Sequence, residues 1–282
     1  MRLATVLEDG GPRIAVVDAD GVLGLPADDP SFASMRAIAA GGSAVLARIA
    51  DWAAAQPAAA RRSAGAVTLA PAVVDPGAIY TIGHNYRSDP GAPDDGPPRP
   101  LVYGKAAASV AADGATLAWD RSLTANVDAE CELGVVIGAS AFDVSVAEAM
   151  DHVLGYTIIN DVSSRDAWLD GDQWLIGKSL PGFCPVGPWV VTADALDPTD
   201  LGIGCTINGV AIQDGRTGQM RFGIPEVVSY LSRHVRLQPG DLIATGTPAR
   251  LPGPMGPERH LEPGDVVVAW IEGIGALTTP VA

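Results

Sequence analysis

Apolar and polar positions change rhythm about a quarter of the way along the chain. Near the N-terminus they form short runs, Arg2–Leu7, Arg13–Asp18 and Val22–Leu25, broken by Gly and Asp turns, which predicts three short strands. Helical spacing follows. Two helices are expected, parted by Gly41-Gly42, and in the second Ser43 caps a face built from Val45, Leu46, Ile49 and Trp52. The Ala/Arg/Pro-rich stretch Gln56–Gly65 reads as a linker, which sets a small α+β unit over residues 1–70 apart from a larger one over 71–282. In the larger unit short apolar strands with turn punctuation dominate. Helix is expected there twice, from the capping box Ser145-Val-Ala-Glu148 through about Val153, and from Pro225 through about Leu231. Thr206-Ile-Asn208-Gly209-Val-Ala-Ile predicts a hairpin, because Asn-Gly supplies the positive φ angles of a tight turn. Leu237-Gln-Pro-Gly-Asp241 recurs as Leu261-Glu-Pro-Gly-Asp265, each a turn feeding a strand. Arg87–Pro100 is too rich in Pro, Gly and Asp for helix or central strand, and an irregular loop of that length suits a lid. The fold class is therefore α+β, predominantly β.

Composition narrows the function classes. A hydrophobic fraction of 48% over 282 residues supplies ample core. No apolar run approaches the roughly 20 residues needed to span a bilayer. The N-terminus reaches Glu8 and Asp9 before a signal-like apolar region can form, so a cytoplasmic location is expected. Cys131, Cys184 and Cys205 are widely spaced and odd in number, which fits buried free thiols in a reducing compartment. A net charge of −15 argues against nucleic acid and anionic membrane as partners. Basic positions are almost all arginine, and the lysines are Lys105 and Lys178 alone. Against that background a retained Lys points to a place that uses a compact charge.

Candidate chemistry begins at Glu130-Cys131-Glu132, which opens the strand-like run Leu133–Ile137. Strand side chains alternate, so both glutamates share a face, where they repel unless a cation or a proton comes between them. A second apolar strand, Gly155–Asn160, ends at Asp161, where a carboxylate is aimed into a cleft. Two glutamates and an aspartate make an all-oxygen set that suits Mg²⁺ or Mn²⁺ and not zinc. Lys178 is placed to anchor a substrate carboxylate or stabilise an enolate beside that metal. Thr245-Gly246-Thr247-Pro248 ends a strand in a turn whose hydroxyl and amides could meet an anion. His152 is expected in a core or surface role, and His234 and His260 lie beside turns with no partner assigned.

Taken in order, Gly83-His-Asn85-Tyr86, Lys105, Glu130-x-Glu132-Leu-Gly-Val-Val-Ile-Gly138, Gly155-Tyr156, Asn160-Asp161-Val-Ser163-x-Arg165-Asp166, Gly177-Lys178-Ser179 and Gly246-Thr247-Pro248 closely resemble the fumarylacetoacetate hydrolase family. The resemblance runs from about Val74 to the C-terminus. It implies a mixed β-sandwich roll, a homodimer, and Mg²⁺, Mn²⁺ or Ca²⁺ held by Glu130, Glu132 and Asp161. The implied substrates are acylpyruvates and related small anionic 2-oxo acids, with Lys178 and Arg165 at the substrate or its enolate and Lys105, Tyr86 and Thr247 in the same surroundings. The implied reaction is hydrolytic C–C cleavage through a metal-stabilised enolate.

The sequence departs from the family at the lid. Many hydrolytic members carry a His–Glu pair there that activates water; Asp89 and Ala92 stand at those positions, and Trp168 replaces a glutamine frequent after the family arginine. Asp89 and His84 are the remaining candidates for a base, and an exposed aspartate is a weak one near neutrality. Keto–enol isomerisation or decarboxylation of a similar 2-oxo acid, which needs no attacking water, is the alternative. A non-catalytic binding protein would be expected to lose the metal ligands, and all three are present.

Overall fold

The computed structural model describes residues 1–87, 96–166, 173–253, 255–256 and 259–282. Asp89, Ala92 and Trp168 fall outside the described residues.

Alternation along the strand Cys131–Ile137 decides how the layers stack. Cys131, Leu133, Val135 and Ile137 enter one apolar cluster with Ile203, Cys205, Val267, Ala269 and Leu277, whereas Val136 enters another with Leu3, Ile38, Ile49 and Leu242. The strand is thus buried on both faces. It lies in the middle of a large sheet whose path runs Gly21–Gly24, Gly11–Asp18, Arg2–Glu8, Cys184–Thr192, Val153–Asn160, Cys131–Ile137, Leu242–Ala244, Ile79–Gly83 and Leu101–Lys105. Most neighbours are antiparallel, but Leu242–Ala244 runs parallel to Ile79–Gly83. A four-stranded antiparallel sheet, ordered Val210–Arg216, Gly202–Ile207, Val266–Ile271 and Gly275–Pro280, covers one face. The helix Met35–Ala54 contributes Met35, Ile38, Val45 and Ile49 to the apolar cluster on the other.

Several local readings appear as written. Asn208 and Gly209 take φ of 53° and 79° and turn the chain between Gly202–Ile207 and Val210–Arg216. Asp241 accepts from the Gln238 amide and Asp265 from the Glu262 amide, each at 2.8 Å, so the echoed Pro-Gly-Asp turns are built alike. The helix from Pro225 spans Ile224–Ser232. The three cysteines are free and buried. The expected break at Gly41-Gly42 is a kink, with Gly42 at φ 59° inside Met35–Ala54, and Ser34 caps the first turn through the Ala37 amide at 3.1 Å.

One element differs. The Ser145–Glu148 side-chain pairing forms, with 2.7 Å between Ser145 Oγ and Glu148 Oε2, yet no α-helix follows. The chain makes a single 3-10 turn, Ala149–His152, because Val153 is already paired with Ile137 in the sheet. A local capping signal gives way to tertiary pairing. The segment expected as a separate unit over 1–70 also continues the large sheet. Arg2 and Leu3 pair with Val191 and Val190, and Leu3 and Ile14 share an apolar cluster with Val136 and Val186. Among the described residues no helix is long and apolar enough to cross a membrane.

Candidate metal centre

Strand register brings the acidic residues together. Ile159 lies opposite Glu132 and Asn160 opposite Cys131, so the next step sets Asp161 against Glu130, with the Asp161 amide donating to the Glu130 carbonyl at 2.8 Å. Glu132 follows two residues along on the same face. Ligand oxygens of Glu130, Glu132 and Asp161 lie within 4.8 Å of one another. Like charges directly across a strand pair are destabilising, and here Glu132 and Asp161 are buried as well, with Glu130 partly so.

Part of the repulsion is offset by the chain's lysines. Lys105 Nζ donates to Asp161 Oδ1 at 2.6 Å and to the Val162 carbonyl at 3.0 Å. Lys178 Nζ donates to the other Asp161 oxygen and to Ser163 Oγ at 2.9 Å, and stands 3.5 Å from Glu130. Burial disfavours the Asp161 carboxylate, but the two ammoniums outweigh it and hold its pKa below the ordinary value. Burial likewise opposes charge on Lys178, and Asp161, Glu130 and Glu132 outweigh it, raising its pKa. Arg165 pairs with Glu130 through Nη2 and with Asp128 through Nε at 2.8 Å.

Glu132 fares differently. The Gly246 amide donates to Oε2 at 2.6 Å, and burial followed by repulsion from Asp161 pushes the carboxyl well above its usual range. Gly246 adopts φ 97° to present that amide, and a Cβ there would come within 2.8 Å of Asn85 Cβ. Lysine therefore balances Asp161 and arginine balances Glu130, while Glu132 is left with an amide. A cluster in which the third carboxylate resists ionisation, built wholly of oxygen donors, fits a hard divalent cation such as Mg²⁺ or Mn²⁺.

The cluster floors a cavity of about 670 Å³ that is also lined by His84, Tyr86, Tyr103, Trp174, Thr247 and Arg250. Tyr103 and Trp174 stack with centroids 4.6 Å apart and form one wall. The buried Tyr86 hydroxyl faces no hydrogen-bond partner among the described residues, and burial and Glu132 raise its pKa, so it remains a donor. His84 lies in the left-handed region at φ 54° and is exposed at the cavity. Thr247 Oγ1 donates to the Cys131 carbonyl at 2.7 Å and accepts from Gln213 at 2.6 Å, so its proton is already engaged. The turn around it meets an anion, but that anion is Glu132. Lys105 sits behind Asp161 with its side chain fully buried and is a counter-ion to the cluster.

Sequence reasoning missed four neighbours. Asp128 accepts from Arg165 on one oxygen, and on the other from Arg250 at 3.0 Å and His260 at 2.8 Å. His260, left without a partner above, therefore has one. Asp128 was findable, since it extends the alternation of Glu130 and Glu132 by one step. Gln213 accepts from the Cys131 amide at 2.9 Å and donates to the Pro248 carbonyl at 2.8 Å, tying the turn to the strand Cys131–Ile137. Arg250 and Arg221 carried no sequence signal.

Comparison with known proteins agrees with this geometry. Residues 78–282 match the family model described as fumarylacetoacetate (FAA) hydrolase C-terminal. A fumarylacetoacetate hydrolase from psychrophilic Exiguobacterium antarcticum is 32% identical with a TM-score of 0.86, covering 100% of this chain and 99% of its own. A 2-hydroxyhepta-2,4-diene-1,7-dioate isomerase from Mycobacterium marinum is 31% identical with a TM-score of 0.76, covering 100% and 98%. Maleylpyruvate hydrolase from Sphingobium sp. SYK-6, in complex with manganese (II) ion and pyruvate, is 26% identical with a TM-score of 0.81, covering 100% and 99%. Sheet order, acidic cluster and family match converge: the chain belongs to the fumarylacetoacetate hydrolase family.

Proposed function

We propose that the chain is a divalent-metal-dependent enzyme that cleaves a C–C bond of a small acylpyruvate-like 2-oxo acid by hydrolysis. The observation that carries the reading is the grouping of Glu130, Glu132 and Asp161 beside Lys178 and Arg165 on the floor of one cavity. Glu130, Glu132 and Asp161 would hold Mg²⁺ or Mn²⁺, which when bound would supply Lewis acidity toward the 2-oxo group. Lys178 adds fixed positive charge in a buried setting, where it acts more strongly than in water, and the half-buried Arg165 adds a second cation beside Glu130. Tyr86 offers its protonated hydroxyl to a substrate oxygen. His84 is the described histidine lining the cavity and is the base assigned to the attacking water. Cleavage adds water across the bond, leaving a carboxylic acid and pyruvate.

A second reading rests on a specific observation. Asp89 and Ala92 stand where the family resemblance implies a water-activating His–Glu pair, and a relative of similar fold is an isomerase. Isomerisation uses the same cation and the same lysine and arginine without a nucleophile. The Mg²⁺-loaded protein incubated with an acylpyruvate separates the two. Loss of the diketo absorbance matched mole for mole by pyruvate is expected. Absorbance loss without pyruvate assigns isomerisation, and no change in either signal overturns both readings for that substrate.

A further inference from the structure

A second cavity opens at the other end of the strands that reach the acidic cluster. Ile79–Gly83 and Leu242–Ala244 run parallel. Beyond their C-terminal ends lie His84, which lines the catalytic cavity, and Gly246, whose amide serves Glu132. Gly77, Ala78 and Asp241 precede the same strands and line a separate cavity of about 530 Å³. Five extended residues set the two ends roughly 16 Å apart. Arg36, Tyr80, Arg236 and Gln238 complete the polar lining, and no residue is shared between the two linings.

This lining is rich in donors. The chain carries a net charge of −15, yet here two guanidinium groups face one carboxylate. That carboxylate is engaged elsewhere. Asp241 Oδ1 accepts from the Ala78 amide at 2.9 Å and Oδ2 from the Gln238 amide at 2.8 Å, and Arg36 acts on it only through space. Among the described residues Arg36 is placed by packing. Gly240 lies against its side-chain stem, and a Cβ at Gly77 would come within 2.4 Å of its Nη2, so two glycines give the guanidinium its room. Its Nε is buried and meets no hydrogen-bond partner among the described residues. A buried N–H left unmet is costly, and a planar guanidinium with bonds still to make is matched to an oxyanion. Arg236 is exposed, with its guanidinium 4.4 Å from the centroid of the Phe142 ring, which restricts where it swings. Burial and the charge of Asp241 keep the Tyr80 phenol protonated, so it too is a donor.

We propose that this cavity is a second ligand site that takes a phosphate oxyanion, free or as a phosphomonoester, between Arg36 and Arg236, with Tyr80 and Gln238 as further donors. Two guanidinium groups offset a dianion and can each bind it through paired N–H groups. The site stands apart from the 2-oxo acid reading, because its residues take no part in the catalytic cavity.

Calorimetric titration of the Mg²⁺-loaded full chain with inorganic phosphate and with glycerol 3-phosphate tests the assignment. Saturable binding of at least one is expected, and the tighter of the two tells whether the free ion or an ester is the ligand. Arg36→Gln and Arg236→Gln are each expected to weaken it roughly tenfold or more, since each removes charge-assisted hydrogen bonds. Arg165→Gln, in the catalytic cavity, is expected to leave it within about twofold of the parent. Amide shifts of the parent on adding phosphate give a reading that needs no variant; they are expected at Ala78, Gln238 and Asp241. No saturable binding of either anion up to about 20 mM overturns the proposal. Parental affinity in Arg36→Gln also overturns it, as do amide shifts confined to Glu132 and Gly246, which put the anion at the acidic cluster.

Discussion

Replacing Asp161 by asparagine probes the electrostatic arrangement at its centre. The Asp161 side chain is 1% exposed and lies between Lys105 at 0% and Lys178 at 6%. The substitution keeps the shape and removes the charge. Lys178 retains Ser163 at 2.9 Å and Glu130 at 3.5 Å, whereas Lys105 retains the Val162 carbonyl at 3.0 Å. The cost therefore concentrates on Lys105, a buried ammonium facing an amide. Removing one partner of a buried ion pair costs about 3–5 kcal/mol. At roughly 2–4 °C per kcal/mol, that lowers Tm by on the order of 10 °C. The measurement is urea and thermal unfolding with EDTA present, so that no bound cation contributes to either protein. If Lys105 is the stranded group, Lys105→Met added to Asp161→Asn restores about 2 kcal/mol or more, because the orphan charge is gone. A loss below about 1 kcal/mol in Asp161→Asn, or no rescue by Lys105→Met, refutes the assignment of Lys105 as counter-ion.

Two further outcomes follow from the same geometry. Gly246→Ala places a Cβ against Asn85 and the Ile82 carbonyl at φ 97°, so the amide that serves Glu132 must move; stability falls by about 1–3 kcal/mol in denaturant titration, and Mn²⁺ affinity falls with it. Gln213→Leu strands the buried Cys131 amide and frees the Thr247 turn, costing about 1–3 kcal/mol, whereas Gln213→Glu, which still accepts from that amide, loses less of that particular contact; hydrogen exchange at Cys131 distinguishes the two.

What could be read from the chain follows the range of the interactions. Glu130 and Glu132 share a face because strand side chains alternate, a rule that acts over two residues. Asp161 was legible as a strand-end carboxylate, although its place opposite Glu130 depends on sheet register that local pattern does not contain. The Asn208-Gly209 turn and both Pro-Gly-Asp turns are local and emerged as read. The helix expected from Ser145 is the counterexample: its cap forms, but the sheet claims Val153 before a second turn can close. Lys105 stood out by rarity, yet its role as a buried counter-ion arises from a contact 56 residues away. Arg250 and His260 reach Asp128 only because the chain after Gly246 folds back along Val210–Arg216, and no spacing rule reports such a closure. The order of the ligands is visible along the chain, while the pairing of Lys105, Lys178 and Arg165 with them arises only in the fold.

Whether Glu130, Glu132 and Asp161 together hold a divalent cation is read by Mn²⁺ titration followed by electron paramagnetic resonance. Free Mn²⁺ gives the signal, so binding is read independently of turnover. Saturable loss of signal at one Mn²⁺ per chain is expected with the parent, and an affinity at least about 100-fold weaker in Glu132→Gln, a substitution that removes a ligand without stranding a lysine. Binding by Glu132→Gln at parental affinity, or no saturable binding by the parent, contradicts that expectation.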